Sequence, residues 1–476
     1  MRAAGIILAA GASSRFGEVK AIAPFQGRPL LQYAIDAAAA AGLAETVVVI
    51  GASADRVLAA LGEQSARVVV NPTPELGLSS SLKLALAALP HDVDAAAILL
   101  GDQPTVRADV IRKLLAAAEG TDAPIVAPRY AGGGGANPVV LRRRGWSLLD
   151  GVEGDRGLAS VIARHPELVH EVAVAGQNPD VDTPADLAAL EAESAWAARV
   201  RANREQVDRL REVPDGRDFY ASVSAIFRAD PRRTNDPVLD RMLRLAEPFD
   251  VWLDIGAGAG RYALPLALAV REVIAVEPSD SMLAGLRDGA RDAGVHNVRI
   301  VQERWPPKTV GRRGERQGEI LAADVALIAH VGYDIEEIGP FLGAMEGASS
   351  RLCVAVLMER SPASVAYPFW QEAFGEPRAP LPALPEFVDL LRARGRKPAL
   401  EMVDAERRIW SSRDELLGFL RRQLWVDPGG RRDKLVEQLV EARLERVPNG
   451  FALAGEANPI GIVTWAREER QAAAGG

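Results

Sequence analysis

Residues 3–20 read AAGIILAAGASSRFGEVK. From Ala3 to Ala10 the run is wholly small or apolar, and at Gly11 the chain turns polar and charged until Lys20. A run of that length stopped by glycine has the character of a strand buried on both faces, with a loop at its carboxyl end. A secretory leader is the rival reading, with Arg2 ahead of the run and Ala10-Gly11-Ala12 as a cleavage site. The run is at the short limit for such a leader and too little charge precedes it. The first strand of a domain, in a cytoplasmic protein, is therefore expected.

Working outward, similar runs recur: TVVVIGA, ARVVVNP, AAAILLGD and APIVAPR, separated by helical stretches such as LLQYAIDAAAAAGL. This alternation predicts a mostly parallel sheet with helices on both faces, to about Ala192. Then comes AALEAESAWAARVRANREQVDRLREV, charged and free of Gly and Pro, which predicts a solvated helix packing on one neighbour. A second α/β series opens near Val251 with VWLDIGAG, EVIAVEPS, NVRIVQE, ADVALIAHV and RLCVAVLME, and closes with IGIVTWARE after a long helical insert from Ser361 to Pro448. The expected architecture is α/β, with two Rossmann-like doubly wound domains joined by a helical linker. The boundaries are 1–192, a linker at 193–218, a second domain at 219–468 and a tail at 469–476.

Composition narrows the chemistry. A chain of 476 residues is too long for one core. One cysteine and five histidines leave no disulfide, cysteine-rich cluster or multi-histidine cage, so a metal is sought among carboxylates, which suits magnesium. A net charge of -8 argues against a broad nucleic-acid surface. No stretch of about 18 apolar residues is present for a membrane span.

Gly11 to Lys20 would lie at a carboxyl strand end, where free amides approach phosphate oxygens and Arg15 and Lys20 supply positive charge. The loop is neither a Walker A loop nor a Gly-x-Gly-x-x-Gly turn. Asp102, in ILLGDQP, ends another buried run and suits either a turn or a magnesium ion. Asp182 precedes Thr183-Pro184, a helix start by itself.

The order Leu-Ala-Ala-Gly-x-Ser-x-Arg-Phe-Gly-x-x-Lys, from Leu8 to Lys20, resembles the signature of MobA-like nucleotidyltransferases, most closely their molybdopterin cytidylyltransferase branch. The resemblance covers about the first 190 residues. It implies that Leu8, Ala10, Gly11, Ser13, Arg15 and Lys20 bind the nucleotide, and that Asp102 and Asp182 hold Mg2+. Ser79 and Ser81, in NPTPELGLSSSLKLAL, match a segment that approaches nucleotide or acceptor, with Leu78 where Met is usual. In GGGGANPVVL, Asn137 stands where the family commonly has His; the four glycines also suit a plain hairpin. Asp155, in GDRGLASVI, would face the acceptor. Ala9-Ala10 points to CTP. The implied reaction is transfer of CMP to molybdopterin with release of pyrophosphate, a molybdenum hydroxylase receiving the cofactor. A sugar phosphate or another small phosphate is the alternative acceptor.

In the second series, FDVWLDIGAGAGRYALPLA sets Asp254 before Gly256, Gly258 and Gly260, and VIAVEPS ends a strand on Glu277. Together these resemble class I S-adenosylmethionine-dependent methyltransferases. The resemblance implies that the glycines pass the methionine moiety, that Glu277 binds the ribose and that Asp254 supports loop or ligand. Glu303 and Trp305, in IVQERWPP, would flank the adenine, a packed core Trp305 being the alternative. His330, Tyr333 and Asp334, in ADVALIAHVGYD, fall beside the methyl-acceptor position. Phe219 and Tyr220 would belong to a helical lid, or simply pack. Binding of S-adenosylmethionine, or docking of a molybdenum enzyme, without methyl transfer is the alternative function of this half.

Overall fold

The computed structural model describes residues 1–214, 228–307 and 321–466, apart from 12, 63–64, 133–134, 405–406 and 456. Phe219, Tyr220 and the 469–476 tail lie outside the described residues. The chain divides into two compact units, Met1–Glu191 and Ala192–Gly476. Both are α/β.

The first unit is built on seven strands: β1 (Ala3–Ala9), β2 (Thr46–Ile50), β3 (Arg67–Val70), β4 (Ala95–Leu100), β5 (Ile125–Tyr130), β6 (Val139–Arg142) and β7 (Val169–Val174). Their order across the sheet is β3-β2-β1-β4-β6-β5-β7. β1 lies parallel between β2 and β4, with Leu8 opposite Val49 on one side and Leu100 on the other. Ile7 packs on one face of the sheet and Ile6 and Leu8 on the other. Helices α1 (Leu30–Ala40) and α3 (Ala108–Glu119) cover the first face, and α2 (Leu78–Ala88) the second. Burial on both faces is why β1 reads as continuously apolar rather than alternating.

The far side of this sheet is mixed. β6 runs antiparallel to β4 and β5, whereas β7 is parallel to β5. The strand order therefore reverses beside β1 and β4, and the loops after these two strands open into one crevice.

Helix α4 (Pro184–Leu210) spans 27 residues. Its start is capped reciprocally: Thr183 Oγ1 accepts from Asp186 N at 3.1 Å, and Asp186 Oδ2 accepts from Thr183 N at 2.8 Å. Farther along, Trp196 and Val200 sit in the core of the second unit. The stretch predicted as a solvated helix packing on one neighbour thus has two side chains anchored in the second unit.

The second unit repeats the principle. Its strands are β8 (Val251–Ile255), β9 (Glu272–Val276), β10 (Val298–Val301), β11 (Ala323–Ala329), β12 (Ser349–Met358), β13 (Ala399–Val403) and β14 (Ile460–Trp465), in the order β10-β9-β8-β11-β12-β14-β13. Five are parallel, and β14 runs antiparallel between β12 and β13. Helix α5 (Pro237–Leu245) precedes β8, α6 (Asp280–Ala293) follows β9 and α7 (Ile338–Ala348) follows β11. The strand order reverses between the parallel neighbours β8 and β11. The insert carries its own small core around Trp370, Trp410, Leu416 and Leu420. Among the described residues, no helix is long and apolar enough to cross a membrane.

Candidate active sites

In the first unit the β1 loop and the β4 loop meet through charge. Lys20 Nζ lies 2.6 Å from Asp102 Oδ2 and 3.1 Å from Asp182 Oδ1. Burial of the ammonium opposes its charge, but the two carboxylates outweigh that, and the Lys20 pKa is raised. Arg15 is exposed and lies 3.9 Å from Asp182. The loop is shaped by Ser13, whose φ of 53° is in the left-handed region and whose hydroxyl accepts from Lys20 N at 3.2 Å. Leu8 and Ala10 are buried in the sheet and Gly11 is exposed, with open space where a Cβ would stand. A ligand approaching Gly11 meets backbone.

A buried amide network holds the two carboxylate-bearing segments together. Asn178 donates to Gln103 Oε1 at 2.9 Å and accepts from Thr105 at 3.1 Å, while Gln103 donates to Asp180 at 2.8 Å. Val181 N donates to the carbonyl of Asp102 at 3.1 Å. Burial, then the charge of Asp102, raises the Asp180 pKa. Asp102 Oδ1 is buried and has no hydrogen-bond partner among the described residues. Two converging carboxylates, one with an unused oxygen, fit a hard divalent cation that takes its remaining ligands from phosphate and water.

The other residues singled out from the sequence are placed differently. Ser79 and Ser81 are buried in α2, and Ser81 accepts from Asn71 Nδ2 at 2.9 Å. Asn71 also donates to Ser80 at 2.9 Å and accepts from Thr73 N at 3.0 Å, so it shapes this loop. Gly77, at φ 87°, presses against the backbone of Gly154 and Asp155, which leaves no room for a Cβ. The two motif segments therefore dock on one another. Asp155 is exposed; Asn137 is half-buried, its carbonyl accepting from Tyr130 Oη at 3.0 Å and Asn178 at 3.2 Å. Asn71, Gln103 and Asn178 were not singled out, because a lone amide in a loop has no spacing signature.

In the second unit Gly256, Gly258 and Gly260 all have positive φ, at 75°, 54° and 85°. A Cβ on Gly256 would stand 2.6 Å from Val331, so the turn passes tightly over the loop after β11. Glu277, at the end of β9, accepts from Gly258 N at 3.0 Å and Ser279 N at 2.9 Å. It ties the glycine turn to the start of α6. Asp254 is 2% exposed; burial, then the charge of Glu277, pushes its carboxyl up to about 7. Glu303 is exposed, and Trp305 packs partly on the core with its Nε1 donating to Phe341 O at 3.2 Å. Tyr333 is buried, and its hydroxyl accepts from Met358 N at 2.7 Å. Asp334 is exposed. His330 has φ 58°, and burial first, then Arg261, lowers its pKa to about 4. Its ring is neutral at physiological pH.

A family model described as a MobA-like NTP transferase domain matches residues 5–169. Nicotine blue oxidoreductase of Paenarthrobacter nicotinovorans is 31% identical over 191 residues, 38% of this chain and 91% of that protein. The bifunctional protein GlmU of Roseobacter denitrificans is 32% identical over 159 residues, 33% of this chain and only 34% of that protein. Among solved structures, Rv0371c from Mycobacterium tuberculosis in complex with manganese is 32% identical; the match covers 39% of this chain and 96% of that one, with a TM-score of 0.35.

Proposed function

The chain belongs, through residues 5–169, to the MobA-like NTP transferase domains, and on that premise we propose that its first unit transfers CMP from CTP to molybdopterin and releases pyrophosphate. The observation that carries this reading is the convergence of Lys20, Asp102 and Asp182 at the β1/β4 switch. Lys20 and Arg15 bind and orient the triphosphate. Gly11 and its neighbours admit it to backbone N–H groups. Asp102 and Asp182 would hold a magnesium ion, which when bound neutralises charge developing on the phosphates. An acceptor phosphate oxygen bonds to the α-phosphorus as the bond to the departing pyrophosphate breaks. No covalent protein intermediate is required; positioning and electrostatics supply the catalysis.

CTP and molybdopterin rest on the resemblance of the loop and of Ala9-Ala10. Asn137 and Leu78 favour the second reading, a sugar phosphate or other small phosphate as acceptor. Pyrophosphate release by the full chain, with each triphosphate against molybdopterin and a panel of sugar phosphates, tests both. Turnover with CTP and molybdopterin alone is expected. Equal turnover of a sugar phosphate would reject the molybdopterin assignment. A molybdenum hydroxylase as recipient, in the cytoplasm, completes this proposal.

For the second unit we infer S-adenosylmethionine binding and methyl transfer. Support comes from the glycine turn after β8, from Glu277 closing β9, and from the buried acid Asp254 beside it. Two neighbouring carboxyl groups near the ends of β8 and β9 suit a cationic ligand. The functional division is residues 1–192 and 219–468. Calorimetry of the full chain with S-adenosylmethionine is the test: no heat of binding would remove the catalytic and the binding-only readings together.

A further inference from the structure

Arg233, Asp236, Arg261, Tyr262 and His330 meet at the carboxyl edge of β8 and β11, and of these the sequence motifs single out only His330. Arg261 directly follows the glycine turn, and Arg233 stands just ahead of α5. The Tyr262 ring centroid is 5.7 Å from the Arg233 guanidinium and 5.6 Å from that of Arg261. On another side lies His330, its ring centroid 6.5 Å from that of Tyr262.

One carboxylate serves both guanidiniums. Asp236 accepts from Arg233 Nε at 2.9 Å and lies 3.5 Å from Arg261 Nη2, while its other oxygen caps α5 through Leu239 N at 3.1 Å. The cluster is therefore net positive. Among the described residues, Arg233 Nη2 and His330 Nδ1 are buried without a hydrogen-bond partner. A buried donor and a buried ring nitrogen left unmatched cost free energy in the ligand-free protein. Both flank the Tyr262 ring, beside the topological switch point where ligands of open α/β sheets bind. His330 adds backbone strain, being a non-glycine residue at φ 58°.

We propose that this cluster is an oxyanion subsite for the second substrate of the unit: Arg261 and Arg233 donate to a carboxylate or phosphate, and His330 Nδ1 accepts from a hydroxyl or amine of the same small molecule. Tyr262 fixes the two guanidiniums by cation–π contact. Neutral His330 also suits a base that takes the proton of a hydroxyl or amine as it becomes methylated. The assignment of a second substrate rests on the methyl-transfer reading; the anion subsite rests on the cluster alone.

The test uses the full chain, with inorganic phosphate and acetate as probes at fixed ionic strength, followed by phosphorus and carbon NMR line broadening. Because the first unit also has a phosphate-binding loop, the decisive quantity is the difference between wild type and Arg261→Gln. Arg261 is half exposed, so this variant is expected to fold; Arg233→Gln is the second variant. Binding attributable to the second unit should weaken about tenfold in each, with S-adenosylmethionine affinity unchanged. No difference between wild type and either variant, with both probes, overturns the subsite. A loss of S-adenosylmethionine affinity with methylthioadenosine binding unchanged would show that the anion is the cofactor's own carboxylate, which overturns the second-substrate assignment. If S-adenosylmethionine fails to bind while arginine-dependent anion binding persists, the subsite stands and the methyl-transfer reading falls.

Discussion

Lys20 and Asp102 join the loops that follow β1 and β4 in the first unit: Nζ of one is 2.6 Å from Oδ2 of the other, across 82 residues of sequence. Asp182 shares the same ammonium from 162 residues away. One cation thus holds two carboxylates together until other positive charge arrives. On the proposed reading this lysine has two duties, stabilising the ligand-free site and binding phosphate once the carboxylates take a metal.

Lys20→Met separates these duties. Pyrophosphate release should fall by about a hundredfold or more, the usual cost of removing one preorganised charge from a polar transition state. The folded first unit should also lose stability in chelator, as Asp102 and Asp182 repel without compensation, and regain part of it with magnesium. Thermal unfolding with and without magnesium checks this. A variant whose stability ignores the cation would argue against Asp102 and Asp182 as its ligands.

Asn178→Ala tests positioning. Asn178 is 1% exposed and joins Gln103, Thr105 and the carbonyl of Asn137. Truncation strands buried partners and should cost about 2 kcal/mol of stability. The magnesium concentration for half activity should rise and kcat should fall, with the KM for nucleotide little changed. A change confined to stability, with the metal dependence intact, would assign the network a purely structural role.

What the sequence revealed here follows the locality of the information. β1, its loop and the glycine turn after β8 were legible because each is a short contiguous pattern. The antiparallel β6 escaped because four residues after a run of glycines carry almost no periodic signal. β13 escaped because ALEMV is an exposed edge strand. The Lys20 bridge could be proposed only as separate loops, since distance along the chain says nothing of side-chain contact. Tyr333 shows the same limit: whether a residue after a strand faces ligand or core depends on the neighbouring strand, and its hydroxyl accepts from Met358 N.

A second ion network supports the other unit. Glu346 is 4% exposed and accepts from Arg396 Nε and Nη2, each at 2.9 Å, and from Trp465 Nε1 at 3.1 Å. Arg394 lies 3.6 Å from it and also pairs with Glu193 of α4. Glu346→Ala removes the carboxylate shared by Arg396, Arg394 and Trp465, Arg394 keeping Glu193, and should destabilise the second unit by about 3 kcal/mol, the loss expected when one partner of a buried ion pair is removed. Denaturant unfolding followed by tryptophan fluorescence reads this directly. Nucleotide transfer by the first unit should survive at denaturant concentrations that unfold the variant's second unit.

Asp254 makes the second unit sensitive to pH. Burial first, and the neighbouring Glu277 second, push its carboxyl up to about 7, against about 3.9 for an unfolded aspartate. The folded form therefore retains a proton that the unfolded chain releases. The resulting stabilisation is complete below about pH 4 and is lost as pH rises through about 7. Asp254→Asn is neutral throughout and has no such loss. Relative to wild type, the variant should gain stability steadily between about pH 4 and 7, by on the order of 3 kcal/mol across the window. The titration belongs to the Asp254–Glu277 pair, so Glu277→Gln should shift the wild-type window downward. Unfolding free energies at three pH values across the window, for wild type and both variants, measure the gap. A gap constant with pH would mean that Asp254 is ionised in the folded protein throughout, and its desolvation would then have to be offset by a partner outside the described residues.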